Sequence, residues 1–415
     1  PTSNVVLTVT SSDTGEATVN SPLTFTAANW DTPQTVTVTG VNDGSVVDGN
    51  QTSTVTISVN DGSSNDSFDP LADKTVTVTT TDNDIPGFTV AESGGSTSVN
   101  ESGTTDTFTV VLNAQPTSDV LLSLTASDAT EASVTSSLTF TPANWNTAQT
   151  VTVTGLNEST VDGDQTSTIT ISVVDAVSND SFDPVADQTV TVSTVDNDTA
   201  GFTIVQSGGS TSVSEAGTTD TFTIVLNAQP ISDVVLTVTS SDTGEATVNS
   251  PLTFTAANWN SAQTVTVTGV DDNIIDGTIT STITIAVDDA NSDNNFDPVA
   301  NQTVSATTTD DDVAGFTIVE SGGSTGVAET GSTDTFTIVL NAQPTSDVVI
   351  SITSSDTSEA TVTGTLTFTP VNWNSAQTVT VTGVDDNIID GPITSTITVA
   401  VIDAISDNSF DPVAD

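Results

Sequence analysis

Four tryptophans, Trp30, Trp145, Trp259 and Trp373, recur 115, 114 and 114 residues apart. A phrase Pro-x-Ser-(Asn/Asp)-Val opens at Pro1, Pro116, Pro230 and Pro344. An acidic tripeptide keeps the same period, as Asp82-Asn83-Asp84, Asp196-Asn197-Asp198 and Asp310-Asp311-Asp312, and each copy stands just before a Gly-Phe-Thr. Self-similarity at a fixed spacing means that one structural unit is repeated, and the unit must satisfy its own core. Taken from tripeptide to tripeptide, residues 85–198 and 199–312 are complete repeats. Residues 1–84 form a partial repeat that lacks its first strands, and residues 313–415 one that lacks its last strand. The seams are two or three residues long and contain no Gly/Ser-rich linker, which predicts stiff junctions.

Inside a repeat the apolar residues alternate with Thr and Ser. In 199–312 this predicts strands at 201–205, 212–215, 221–226, 234–239, 246–248 with 252–255, 264–268, 281–287 and 303–309. Each is rich in β-branched residues and bounded by Gly, Asn, Asp or Pro. No stretch has a helical period. Seven strands in about 114 residues match an immunoglobulin-like β-sandwich. The expected fold is therefore all-β, a tandem of antiparallel β-sandwiches forming an extended rod.

The chain carries 54 acidic residues against one basic residue, Lys74, for a net charge of −53. Such a chain does not bind nucleic acid by charge, because phosphate repels it. It has no apolar run long enough to enter a membrane. It lacks Cys, His, Met and Tyr, which removes disulfides, thiolate or imidazole metal sites and the usual nucleophile–base pairs. No catalysis is expected. The strand order has a further consequence. Antiparallel strands reverse direction at every turn, so alternate loops share one end of a sandwich. In 199–312 that rule sends Glu215, Asp220, Asp242, Glu245, Asp271, Asp272, Asp276, Asp310, Asp311 and Asp312 to one end. It sends Asp233, Asp288, Asp289, Asp293 and Asp297 to the other. So dense a set of hard oxygen ligands, with no Lys or Arg to neutralise it, calls for Ca²⁺.

The start Phe-Thr-Ile, Glu215, the phrase Leu-Thr-Phe-Thr, the loop Asp271-Asp272-Asn273-Ile274-Ile275-Asp276-Gly277 and the closing Asp310–Asp312 together resemble Calx-beta domains of bacterial extracellular adhesins and surface proteins. The resemblance spans the chain and repeats four times. It implies Ca²⁺ ligands at Glu215, Asp242, Asp271, Asp272, Asp276, Asp310, Asp311 and Asp312. In 85–198 it implies Glu101, Asp128, Glu158, Asp162, Asp196 and Asp198, with Asn157 and Asn197 as weaker members. In the first repeat it implies Asp13, Asp43, Asp48, Asp82 and Asp84, and in the last Glu329, Asp356, Asp385, Asp386 and Asp390. One to three ions per seam are expected.

These readings describe a Ca²⁺-stiffened extender or stalk of a bacterial cell-surface adhesin or extracellular filament. Its partners are neighbouring repeats of the same chain and, in a filament, identical chains. The alternative is a carbohydrate- or protein-binding repeat module of a secreted protein. The tryptophan is expected to cover the sandwich rim, and the loop Ser-Asn-Asp-Ser-Phe-Asp-Pro to form an Asx turn or to cap an ion.

Overall fold

The computed structural model describes residues 1–389 and 391–413. The chain divides into two compact units, 1–198 and 199–415, each holding two repeats. The repeat 199–312 shows the plan. Its strands are β1 (Phe202–Gln206), β2 (Thr211–Ser214), β3 (Thr219–Leu226), β4 (Val234–Ser240), β5 (Ala246–Val248), β6 (Leu252–Phe254), β7 (Gln263–Gly269), β8 (Ile279–Val287) and β9 (Gln302–Thr309). One sheet has the order β1-β3-β7-β5 and the other β2-β9-β8-β4-β6. This is a tandem of immunoglobulin-like antiparallel β-sandwiches, as the alternating pattern predicts. The β2–β9 pair is parallel, because the chain leaves β1 through a Ser-Gly-Gly kink and continues in the facing sheet. There Gly208 takes φ 66°, a left-handed value that glycine adopts without steric cost.

Each strand turns its alternate residues inward. Phe222, Ile224, Leu236, Val265, Val267, Ile283 and Ile285 are all buried between the two sheets. Full burial of one such side chain contributes about 1.5–3 kcal/mol. Thr and Ser take the outward positions, where a branched or small polar residue suits an exposed pleat. The segment read as a single strand broken at Ser250-Pro251 is instead two strands in opposite sheets. β5 pairs with β7 and β6 pairs with β4. Both run the same way, so the parity of the loops is unchanged.

The structure also contains short 3₁₀ turns that the strand pattern does not announce. In the loop before β9, Asp293 Oδ1 accepts a hydrogen bond from the Asn295 backbone N–H at 3.0 Å, and Phe296 drops into the core with no exposed surface. The equivalent Asn179 accepts from the Ser181 N–H, and Phe182 is likewise buried. The loop is thus an Asx turn that lowers a phenylalanine into the core. Trp145 and Trp373 pack half-buried against the cores of their repeats.

The repeat 85–198 has the same two sheets, of four and five strands. The first repeat has a four-stranded sheet and a two-stranded pair, and the last has sheets of four and three strands. Among the described residues, the last repeat has no counterpart of β9.

Candidate metal centre

The acidic end of 199–312 is assembled by backbone constraints before any carboxylate is considered. β2 ends at Ser214, whose carbonyl passes so close to Gly269 that a Cβ built there would lie 2.1 Å from the oxygen. Only glycine allows that approach. The Glu215 N–H then donates to the Thr309 carbonyl at 3.1 Å, which fixes Glu215 beside the end of β9. Glu245 is held from three sides. The Ala246 N–H donates to the Asp242 carbonyl, and the Glu245 carbonyl accepts from the Val270 N–H and from Thr308 Oγ1. The acidic loop 270–278 is tied to the tripeptide by the Gly277 N–H, which donates to Asp310 Oδ2 at 2.9 Å. Asp310 Oδ1 accepts the Asp312 N–H at 2.8 Å.

The carboxylates that result converge in two groups, Glu215 with Asp272 and Asp312, and Glu215 with Glu245 and Asp276. In each group one oxygen per residue lies within 4.8 Å of the others. Glu215 belongs to both. The repeat 85–198 repeats the arrangement, with Glu101, Glu131, Glu158 and Asp162 in one group and Glu101, Asp196 and Asp198 in the other. There the Gly163 N–H donates to Asp196 Oδ2, and a Cβ at Gly155 would lie 2.2 Å from the Asn100 carbonyl. In the first repeat Glu16, Asp43 and Asp48 converge, and Asp82 holds the loop by accepting the Asp48 and Gly49 N–H groups.

Glu101, Glu131, Glu215 and Glu245 are between 1% and 6% exposed. Each has an oxygen with no hydrogen-bond partner, as do Glu158, Asp162, Asp198, Asp312 and Asp84. A buried carboxylate at the opposite end of the sandwich behaves differently. Asp407 accepts from Thr345 Oγ1 and the Ser346 N–H, and Asp293 from the Ile231 and Ser232 N–H groups. Burial raises the Asp407 carboxyl, yet these bonds outweigh it and hold the group below its ordinary range. At the acidic end the bonds are too few to compensate: Glu101 Oε2 accepts the Asn197 N–H at 3.3 Å, and the carboxyl is still raised by burial. Burial, followed by repulsion from Asp162 and Glu101, pushes the Glu131 carboxyl up to about 7. Burial, followed by repulsion from Asp310, Glu245 and Asp272, does the same to Glu215. Two unit charges near 5 Å repel by about 3 kcal/mol at an effective dielectric of 20. The group therefore needs either protons or a cation.

Eleven of the 24 acidic residues implied by the resemblance are brought together here: Glu101, Glu158, Asp162, Asp196, Asp198, Glu215, Asp272, Asp276 and Asp312, with Asp43 and Asp48 in the first repeat. Asp82 and Asp310 anchor the acidic loop. Asp84 has an orphaned oxygen beside Asp82. Asp271, Asp311 and Asp385 stand in solvent. The turn aspartates Asp13, Asp128, Asp242 and Asp356 spend an oxygen on their own turns. Asp242 Oδ1 accepts the Gly244 N–H at 2.9 Å and Asp128 Oδ1 the Thr130 N–H at 2.9 Å. Asp13 and Asp356 do the same with Gly15 and Ser358. None of the four belongs to a convergent group among the described residues. The glutamate three residues later takes the inward place, as Glu16, Glu131 and Glu245. The signal for it was local: an Asp that opens an Asx turn is occupied, and the next acid in the turn is free. Glu329 and Asp386 are half-buried and join no group among the described residues, and Asp390 lies outside them. Asn197 Nδ2 donates to Asn157 Oδ1, so that pair links the tripeptide to the acidic loop.

No protein-family model and no curated protein matches the chain. Among solved structures it is similar to domains 4–9 of the surface layer protein SbsC, at 18% identity over 96% of this chain and 56% of that one, with a TM-score of 0.23. It is similar to CBD12 from CALX1.2, at 11% identity over 52% of this chain and 99% of that one, with a TM-score of 0.22. It is also similar to titin domains I67–I69, at 10% identity over 76% and 94%, with a TM-score of 0.25. Likeness at this level does not decide function.

Proposed function

We propose that the chain is a structural spacer of a bacterial extracellular or cell-surface protein, and that its repeats are stiffened by Ca²⁺. One observation carries the reading: glutamates buried to at least nine-tenths, with unpartnered oxygens, face other carboxylates in a chain that has one lysine. The donor set is all oxygen and negatively charged. It suits Ca²⁺, which accepts six to eight flexible oxygen ligands, better than Mg²⁺, which dehydrates reluctantly.

The two groups in each complete repeat would hold two ions, with Glu215 or Glu101 shared between them. Bound cations would neutralise the repulsion and cross-link four chain segments: the end of β2, the turn before β5, the acidic loop and the closing tripeptide. The protein supplies position, and the ion supplies charge. A resident Ca²⁺ of modest affinity suits an extracellular setting. The residue types and the repetition of one unit support mechanical extension, with no catalysis, ahead of a binding module. Filament formation with identical chains belongs to the same proposal.

Calorimetric Ca²⁺ titration of the chelator-treated chain tests this. Two sites in each complete repeat are expected. At a hundredfold excess of metal over Kd, each site contributes about 2.7 kcal/mol. EGTA should lower Tm by roughly 10 °C or more. A flat titration and an unchanged melting curve in EGTA would sink the reading.

A further inference from the structure

The acidic loop carries more than ligands. In the first repeat Val46 and Val47 form a short parallel pair with Gln115 and Pro116 of the next repeat, and the Gln115 N–H donates to the Ser45 carbonyl at 2.6 Å. Val47 is 3% exposed and belongs to the core of residues 85–198, the cluster that includes Phe88 and Leu112. The third and fourth repeats do the same. Ile274 bridges to Gln343, the Gln343 N–H donates to the Asn273 carbonyl, and the Ile275 N–H donates to the Gln343 carbonyl. Ile275 packs against the core of residues 313–415. In the last repeat the equivalent Ile388 and Ile389 are 61% and 103% exposed. The neighbour, and not the loop's own repeat, buries these side chains.

The apolar pair sits between two ligands that serve different groups. Asp272 converges with Glu215 and Asp312, and Asp276 with Glu215 and Glu245. Asp272 Oδ1 also accepts the Ile274 N–H at 2.6 Å. Fixing both aspartates fixes both ends of the three residues 273–275. We infer that the loop is a metal-organised plug: in the first and the third repeat, cations held by the repeat set the loop that completes the core of the following one, so the metal there stabilises the successor as well as its own repeat. The inference rests on the metal reading above. Neighbour-only coupling is the usual logic of repeat proteins, but here it has a direction along the chain. By linkage, seating of the plug tightens metal binding by the same factor.

The test is peptide-resolved hydrogen exchange on the full chain, with Ca²⁺ and with EGTA, beside Ca²⁺ stoichiometry. The unsubstituted chain, Ile275→Ser and Glu215→Gln are compared, with Ile275→Ala as the milder variant if the serine protein does not fold. In the unsubstituted chain, Ca²⁺ should slow exchange in Thr333–Leu340 and Val348–Ser354 by about fivefold or more. Ile275→Ser should remove that slowing in 313–415 while Ca²⁺ still slows exchange in 199–312. Glu215→Gln should remove it in both. The inference is overturned if Ca²⁺ binds and slows exchange in 199–312 alone, or slows 313–415 equally in Ile275→Ser, as direct binding at Glu329, Asp385 or Asp386 would do. If no Ca²⁺ binds, the metal reading fails and the plug linkage fails with it.

Discussion

Glu245 and Asp242 stand three residues apart in one turn and do different things. The Asp242 carboxylate accepts its own turn's Gly244 N–H, whereas Glu245 has an unpartnered oxygen in a buried cluster. Glu245→Gln should therefore weaken Ca²⁺ by at least the tenfold that even an outer-shell change costs. Asp242→Asn keeps a turn acceptor, and its effect on affinity should stay within a few fold, an outcome that titration of the two variants checks. Two other buried glutamates of these clusters set a pH dependence. The folded-state carboxyls of Glu131 and Glu215 sit at about 7, above the ordinary 4.5. A group raised on folding contributes stability that is complete below its unfolded value and is lost as pH rises through its folded value. The metal-free chain should therefore lose Tm between about pH 4.5 and pH 7. Ca²⁺ requires deprotonated carboxylates, so with metal the slope across the same window should reverse. Scanning calorimetry in EGTA and in Ca²⁺ reads both slopes.

At the scale of elements, the closing strand, the acidic loop and the end of β2 are joined by a few contacts that leave no slack. Gly269 is the clearest, because a methyl group there would press on the Ser214 carbonyl immediately before Glu215. Gly269→Ala should push β2 away, lower stability by about 1–3 kcal/mol, and weaken Ca²⁺ without touching a ligand. Denaturant melts and titration together would show it. Gly155→Ala should act on Glu101 in the same way. The 3₁₀ turn that seats Phe296 belongs to the opposite end, and its change to Ala should cost about 3–5 kcal/mol with metal affinity unchanged in the folded protein. A loss of affinity in that variant would show that the two ends are not independent.

For the whole molecule, the repeat spacing and the alternation of apolar with Thr and Ser positions were enough to read four β-sandwich repeats and the end at which the acids gather. Both follow from local rules, the period-two pleat and the reversal of antiparallel strands, which a one-dimensional pattern records. The sequence by itself also determined that any resident cation would meet oxygen ligands alone. Tertiary structure decided three things. It moved the segment after Ser250-Pro251 into the other sheet. It carried Glu131 and Glu245 into buried clusters: the turn itself spends Asp128 and Asp242 on local N–H groups, but the burial of the glutamate comes from the turn's seat on neighbouring strands, at Glu245 through the Val270 N–H and Thr308 Oγ1. It gave Val47 and Ile275 to their neighbours' cores. An apolar pair inside an acidic loop reads as an oddity until a second repeat covers it, since burial is a property of the surroundings and not of the residue.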